Sequence, residues 1–175
     1  MKQCLMIHEV DQWMFTLPLE DYHLTFDDGL YSQFVYFDQI RELNTTKSFF
    51  ISTAIVAEPD CEQNSDFITC NDAHEHYFKT NDKSYYMNWE QIKEIDSDCS
   101  CEIGGHSHNH NRYNRTKIFK DTREMLEEFD RQSITIDSFC FPYNDEYVEY
   151  GALLQSKGIK LSYGKERLYV YDLQC

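Results

Sequence analysis

Glu102-Ile103-Gly104-Gly105-His106-Ser107-His108-Asn109-His110 carries three of the chain's seven histidines directly behind two glycines. Imidazole is the commonest protein ligand for metals of the zinc type. Paired glycines are poor strand residues and mark a sharp change of direction. The stretch therefore reads as a strand, Cys101 to Ile103, that stops at the glycines and gives way to a helical turn. Such a turn sets His106 and His110, four apart, on one face and sends His108 elsewhere. An extended segment would put all three on one face. Taken alone, the stretch is equally well a polar surface loop.

The upstream stretch Tyr22-His23-Leu24-Thr25-Phe26 reads as a strand that runs into Asp27-Asp28-Gly29. Two adjacent carboxylates at a strand end suit a division of labour. One binds a cation while the other stays free to take a proton from water. Asp-Gly is also an ordinary turn pair. The two stretches together say more than either alone, because they supply two nitrogens and one oxygen. Three such ligands leave one position open for water, as hydrolytic zinc sites require.

On these residues the chain resembles the polysaccharide deacetylases, also called the NodB-homology or carbohydrate esterase family four domain. Thr25-Phe26-Asp27-Asp28-Gly29 matches the first family motif and His106-Ser107-His108-Asn109-His110 carries the second, His-Ser/Thr-x-x-His. Phe139-Cys140-Phe141-Pro142-Tyr143-Asn144 is similar to the third, with Asn where the family usually has Gly. Met87 to Ile95 is similar to the helix before the second motif, and Leu5 to Val10 to the opening strand of a subgroup. Order and spacing hold from about residue 4 to residue 164.

The resemblance implies a metal-dependent amidohydrolase that removes an N-acetyl group from an amino sugar or glycan. Asp28, His106 and His110 would hold one divalent metal, zinc by its nitrogen ligands, with Co2+, Ni2+ or Fe2+ as family alternatives. Asp27 would be the general base, and the backbone N–H of Tyr143 would face the oxyanion. The amine leaving group needs a proton, which the family usually takes from a late histidine. No histidine follows His110 here. His8 is the first substitute, because its strand neighbours that of Asp27, and His108 is the second. Many members carry an Arg at the position of Cys140, where it steadies the base. Its replacement by a thiol puts the tuning of Asp27 in question. These departures keep an alternative open: a catalytically weak or inactive relative that binds a glycan or a protein partner. A non-sugar N-acyl substrate is a third option.

Composition bounds the rest. The chain has 175 residues, 41% of them hydrophobic, with 12 Phe and 13 Tyr, so a packed single domain over residues 1–175 is expected. Its formal net charge of −15 argues against nucleic acid or an anionic membrane as partner. An N-acetylated sugar or polysaccharide remains the expected partner. No apolar run reaches the length of a membrane span. The apolar run in Met1 to Glu9 is too short for a signal peptide's core, and the seven cysteines fall at irregular spacings. These features predict a cytoplasmic location with reduced thiols.

The hydrophobic periods predict alternating strands and helices. Strands are expected at Cys4 to His8, Tyr22 to Phe26, Lys47 to Ile51, Cys101 to Ile103, Ile136 to Phe141 and Lys160 to Tyr163, with another at Tyr169 to Leu173. Helices are expected at Ser32 to Leu43, after an N-cap at Asn88, at Thr116 to Asp130 and at Glu146 to Lys157. Residues 57–86 show no clear period and read as a long irregular loop, in which His74 and His76 read as surface histidines. Alternation of this kind makes parallel βαβ units, with ligands at the C-terminal ends of strands. The resemblance specifies the fold further, as α/β with a distorted, incomplete (β/α)7 barrel of the polysaccharide deacetylase type.

Overall fold

In the computed structural model, which describes residues 2–174, seven parallel strands form one sheet in the order β6-β5-β4-β3-β2-β1-β7. The strands are β1 (Cys4–Ile7), β2 (His23–Phe26), β3 (Lys47–Ile51), β4 (Cys101–Gly105), β5 (Ser138–Cys140), β6 (Leu161–Tyr163) and β7 (Leu168–Tyr169). The sheet curls into a half-barrel, the distorted, incomplete (β/α)7 barrel expected. Its edges are β6 and β7, and residues 164–167 carry the chain from one edge to the other.

Burial explains the strand pattern. All five residues of β3 are buried, as befits a central parallel strand covered on both sides. Phe26 and Phe49 stack across β2 and β3 with ring centroids 4.5 Å apart, a pair that contributes about 0.5–1.5 kcal/mol beyond its buried area. Lys47 is buried as well, and its ammonium donates to Leu43 O at 2.7 Å and Ser100 Oγ at 3.0 Å. The charge is thus spent on acceptors at a helix end and a loop instead of being left unsolvated.

Six helices complete the fold: α1 (Tyr31–Val35), α2 (Phe37–Glu42), α3 (Cys70–Thr80), α4 (Trp89–Asp96), α5 (Ile118–Arg131) and α6 (Val148–Ser156). The single helix expected over Ser32 to Leu43 is broken at Tyr36, whose ψ of 11° ends α1. Asn88 caps α4 as expected: its side chain accepts from Gln91 N while Gln91 reaches back to Asn88 N. In α5, Ile118, Asp121, Thr122, Met125 and Phe129 are buried, whereas Phe119 is exposed. Gly158, at φ 94°, follows α6 as a residue free to adopt that angle.

The strand expected at Tyr169 to Leu173 reaches only Tyr169, with Val170–Gln174 forming a 3-10 helix instead, and two further expectations are corrected. Residues 57–86 are not irregular throughout, because α3 lies inside them. Thr69 caps α3 by accepting from Asp72 N, and Asn81 closes it in the left-handed conformation, φ 60°. Its inward face is Cys70, Ala73, His74 and Tyr77, packed on a small core with Leu30, Ile55 and Tyr86. A face of thiol, imidazole and phenol carries little aliphatic signal, which hides its helical period. The second correction concerns the glycines: Gly104 and Gly105 belong to β4, which runs two residues further than expected. A Cβ on Gly104 would meet the Phe50 ring and Ser138 Oγ at 2.6 Å, so packing demands glycine within the strand. Among the described residues, no helix is long and apolar enough to cross a membrane. Cys61 and Cys70 carry free thiols.

Candidate active site

Strand register brings the motifs together. Ile7 pairs with Phe26, so His8 and Asp27 leave adjacent strands at the same level. Gly105 pairs with Phe139, which sets His106 beside Cys140. These C-terminal strand ends surround a cavity of about 240 Å³ lined by His8, Asp27, Asp28, His106, His110 and Tyr143 among others. A larger cavity of about 840 Å³ lies at the strand starts near Cys4 and His23, without the carboxylate–imidazole cluster.

Neighbouring strand residues face opposite ways, yet Asp27 and Asp28 both line the cavity. The reason is a left-handed turn: Asp28 has φ 72° and Gly29 φ 76°. Gln33 holds this turn, its amide donating to Asp27 O at 2.6 Å and to His8 O at 2.7 Å.

His106 and His110 do share one face, with His108 directed away, but no helical turn does this. Ser107 (φ 66°) and His110 (φ 50°) are left-handed, and Ser107 Oγ accepts from His110 N at 2.9 Å. The buried Asp121 of α5 clamps the loop, accepting from the backbone N–H groups of His108 and Asn109 at 2.8 and 3.1 Å. His108 Nδ1 lies 2.7 Å from Thr53 Oγ1, outside the cavity lining.

Asp28 Oδ1 lies 2.9 Å from His110 Nε2 and 3.1 Å from His106 Nε2. The three donor atoms fall within 4.8 Å of one another, and all three residues are buried. His106 Nδ1 sits 2.8 Å from Cys140 O, the partner that assigns its proton there and leaves the Nε2 lone pair facing Asp28. Asp28 Oδ1 is buried and receives no hydrogen bond of adequate geometry. Two imidazole nitrogens and one carboxylate oxygen thus converge, a donor set that fits a zinc-type cation. Burial opposes ionisation of Asp28, but His110, His106 and His74 hold its carboxyl well below the usual range.

Asp27 has a partner that the motifs do not supply. Arg167, between β6 and β7, places Nη1 2.7 Å from Oδ1 and Nη2 2.8 Å from Oδ2 of Asp27. The same Nη2 lies 3.0 Å from Cys140 Sγ. Burial pushes the Asp27 carboxyl up, and the guanidinium outweighs it and holds the group below its ordinary value. Cys140 is pushed up to about 11 by burial and by Asp27, so it is a neutral packing thiol near pH 7. Arg167 thus meets both Asp27 and the thiol of Cys140. One lone Arg in a loop gave no signal of this in the sequence.

The helix α3 adds two groups that the sequence reading set aside. His74 is buried and its Nε2 lies 3.3 Å from Asp28 Oδ2, so it is not a surface histidine. Its ring stacks on His110 at 4.2 Å, and its Nδ1 is 3.1 Å from the Tyr86 hydroxyl. Cys70 Sγ donates to Asp28 Oδ2 at 2.9 Å, and burial and Asp28 push its thiol far up, keeping it protonated. The i, i+4 spacing of Cys70 and His74 was the available clue. His76 pairs with Asp82 outside the cavity.

His8 lies over both carboxylates, its Nε2 4.0 Å from Asp27 Oδ2 and 3.9 Å from Asp28 Oδ2. Tyr143 follows β5 at φ 58°, with its ring 4.7 Å from His110 and 4.2 Å from the Arg112 guanidinium carbon.

The parallel half-barrel is the fold of solved polysaccharide deacetylases. The structure is similar to IcaB from Ammonifex degensii (TM-score 0.67, 16% identity, covering 96% of this chain and 84% of that one). It is similar to the BpsB deacetylase domain from Bordetella bronchiseptica (TM-score 0.63, 13% identity, 96% and 94% covered). It also resembles BC0361, a polysaccharide deacetylase from Bacillus cereus (TM-score 0.65, 10% identity, 96% and 64% covered). No protein-family model matches the sequence, and no curated protein matches it. At these identities the likeness establishes the fold, and the chemistry rests on the residues.

Proposed function

We propose that this protein is a metal-dependent amidohydrolase that removes the N-acetyl group from an amino sugar or glycan. The observation that carries the reading is the buried Asp28–His106–His110 cluster with Asp27 beside it, fixed by Arg167. Asp28, His106 and His110 would hold one divalent cation, zinc by preference, with cobalt, nickel or iron as substitutes. When bound, the cation supplies Lewis acidity toward the acyl carbonyl and toward a water. Asp27 takes the proton of the attacking water as the new C–O bond forms. Its tie to Arg167 keeps it ionised for that task and fixes its direction. The Tyr143 N–H donates to the developing oxyanion. His8 gives the nitrogen its proton as the C–N bond breaks, so that an amine leaves instead of an amide anion.

A second reading is a relative that binds glycan without turnover. Cys70 and His74 favour it, since both crowd the second oxygen of Asp28. Two measurements decide. Metal analysis of the purified protein should find about one divalent ion per chain, the count that a three-ligand site sets. Acetate release from chitooligosaccharides and nucleotide-linked N-acetyl sugars should then disappear in Asp27→Asn. Metal bound at that level with no acetate released from any N-acetyl substrate would select the binding protein instead.

A further inference from the structure

The Asp28 carboxylate meets donors on both of its oxygens. Oδ1 faces His106 and His110. Oδ2 faces a second group: Cys70 Sγ at 2.9 Å, His74 Nε2 at 3.3 Å and His8 Nε2 at 3.9 Å. Asp28, Cys70 and His8 offer donor atoms within 4.8 Å of one another. Ligands of one tetrahedral zinc stand roughly 3.3–3.7 Å apart. The three separations from Oδ2 bracket that range.

His74 carries an independent signal of a ligand. Its side chain is 10% exposed, and its Nε2, facing Oδ2, makes no hydrogen bond of adequate geometry. The Tyr86 hydroxyl at Nδ1 and the stacked His110 ring hold the imidazole in place. A metal-bound histidine has this arrangement, with one nitrogen on a partner and the other directed at the ion. Cys70 is fixed as well. It is the first residue of α3, and the buried Glu9 accepts from its N–H at 3.0 Å. One helical turn separates Cys70 from His74, which sets both toward Asp28. The remaining group of this kind, Asp27, His106 and Cys140, already has a cation. Arg167 Nη2 lies 2.8 Å from Asp27 Oδ2 and 3.0 Å from Cys140 Sγ.

We propose that Asp28 bridges two cations, and that Cys70, His74 and His8 hold the second together with Asp28 Oδ2. The proposal rests on reading Asp28, His106 and His110 as the first cation site. The donor set selects an ion of the zinc type, since thiolate and imidazole are poor ligands for magnesium or calcium. The Cys70 thiol gives its proton to solvent as the sulfur–metal bond forms. That proton loss, and the repulsion between two cations on one carboxylate, make the second site the weaker one. It fills when zinc exceeds one equivalent. His8 is then a ligand and no longer gives a proton to the leaving amine, so the doubly loaded protein is the slower hydrolase.

Cobalt titration of the metal-free protein tests this, because a thiolate bound to Co2+ gives a near-ultraviolet charge-transfer band. The first equivalent should bring visible absorption without that band, and the second should bring the band. Cys70→Ser should abolish the band and lower bound metal from about two ions per chain to about one. His74→Ala should weaken the second equivalent at least about tenfold, and His110→Ala should weaken the first and keep the band. In the unaltered protein acetate release should decline as zinc passes one equivalent. In His74→Ala that decline should need at least about tenfold more zinc. A thiolate band on the first equivalent, a band that survives Cys70→Ser, saturation at one ion, or a rate indifferent to the second ion would each overturn the proposal. No acetate release at any zinc level, with the band present on the second equivalent, would overturn the hydrolase reading and leave the two-cation site standing. Steady acetate release across the zinc range with no band would do the reverse.

Discussion

Arg167 grips Asp27 with both guanidinium nitrogens, at 2.7 and 2.8 Å, across 140 residues of sequence. Both side chains are 3% exposed. A buried pair of this kind costs desolvation to assemble and is costly to break on one side only.

Arg167→Met should therefore strand a buried carboxylate and cost about 3–5 kcal/mol of stability. The sign in pH follows from the direction of the Asp27 shift. Its folded value lies below the ordinary one. The pair's contribution is therefore complete above the unfolded carboxylate value and is lost as pH falls through the folded one. Removing the guanidinium removes the largest influence opposing burial, so the acid limb of kcat/KM should move to higher pH in Arg167→Met. Denaturant melts and a pH–rate profile check this, and an unmoved acid limb would deny Arg167 any part in tuning the base.

The metal prediction has a readout that does not depend on turnover. His110→Ala and Asp28→Ala should each lower zinc affinity by at least about two orders of magnitude, since three protein ligands become two. Competition with a chromogenic chelator measures this. Asp27→Asn should keep its zinc, because Asp27 is tied to Arg167 and not to the imidazoles. If Asp27→Asn loses metal as completely as Asp28→Ala, the division between ligand and base is wrong.

His8→Gln should slow amide hydrolysis by about 10²–10⁴-fold, the usual worth of general acid catalysis. An acetyl ester with a phenolic leaving group needs no such proton and should be cleaved at nearly the original rate. Equal losses on both substrates would mean that His8 serves binding or structure. The variant His74→Gln then becomes the informative comparison, because His74 also faces Asp28.

Gly104→Ala tests the packing that places the histidine motif. The added methyl would stand 2.6 Å from the Phe50 ring and from Ser138 Oγ. Overpacking at a buried site should cost about 1–3 kcal/mol. Gly151→Ala, where nothing lies within 4 Å of the new methyl, is the control and should stabilise α6 slightly. A melting temperature for Gly104→Ala at or above that of the unaltered protein would refute the account of why β4 contains glycine.

The sequence by itself determined the alternation of strands and helices and the strands after which Asp27, Asp28, His106 and His110 follow, though it ended β4 two residues early. Those features are local: apolar runs, caps and glycine positions act over a few residues and can be read in order. It did not determine α3, whose inward Cys70 and His74 carry no aliphatic period, nor the left-handed turns that aim the histidines. Only the tertiary structure decided that Arg167 pairs with Asp27, beside the thiol of Cys140. Side chains far apart in the chain can fill the same space, and charge compensation inside a barrel depends on which atoms meet, not on which segment delivers them. Residues 164–167 carry the chain from β6 to β7, and this link places Arg167 against Asp27.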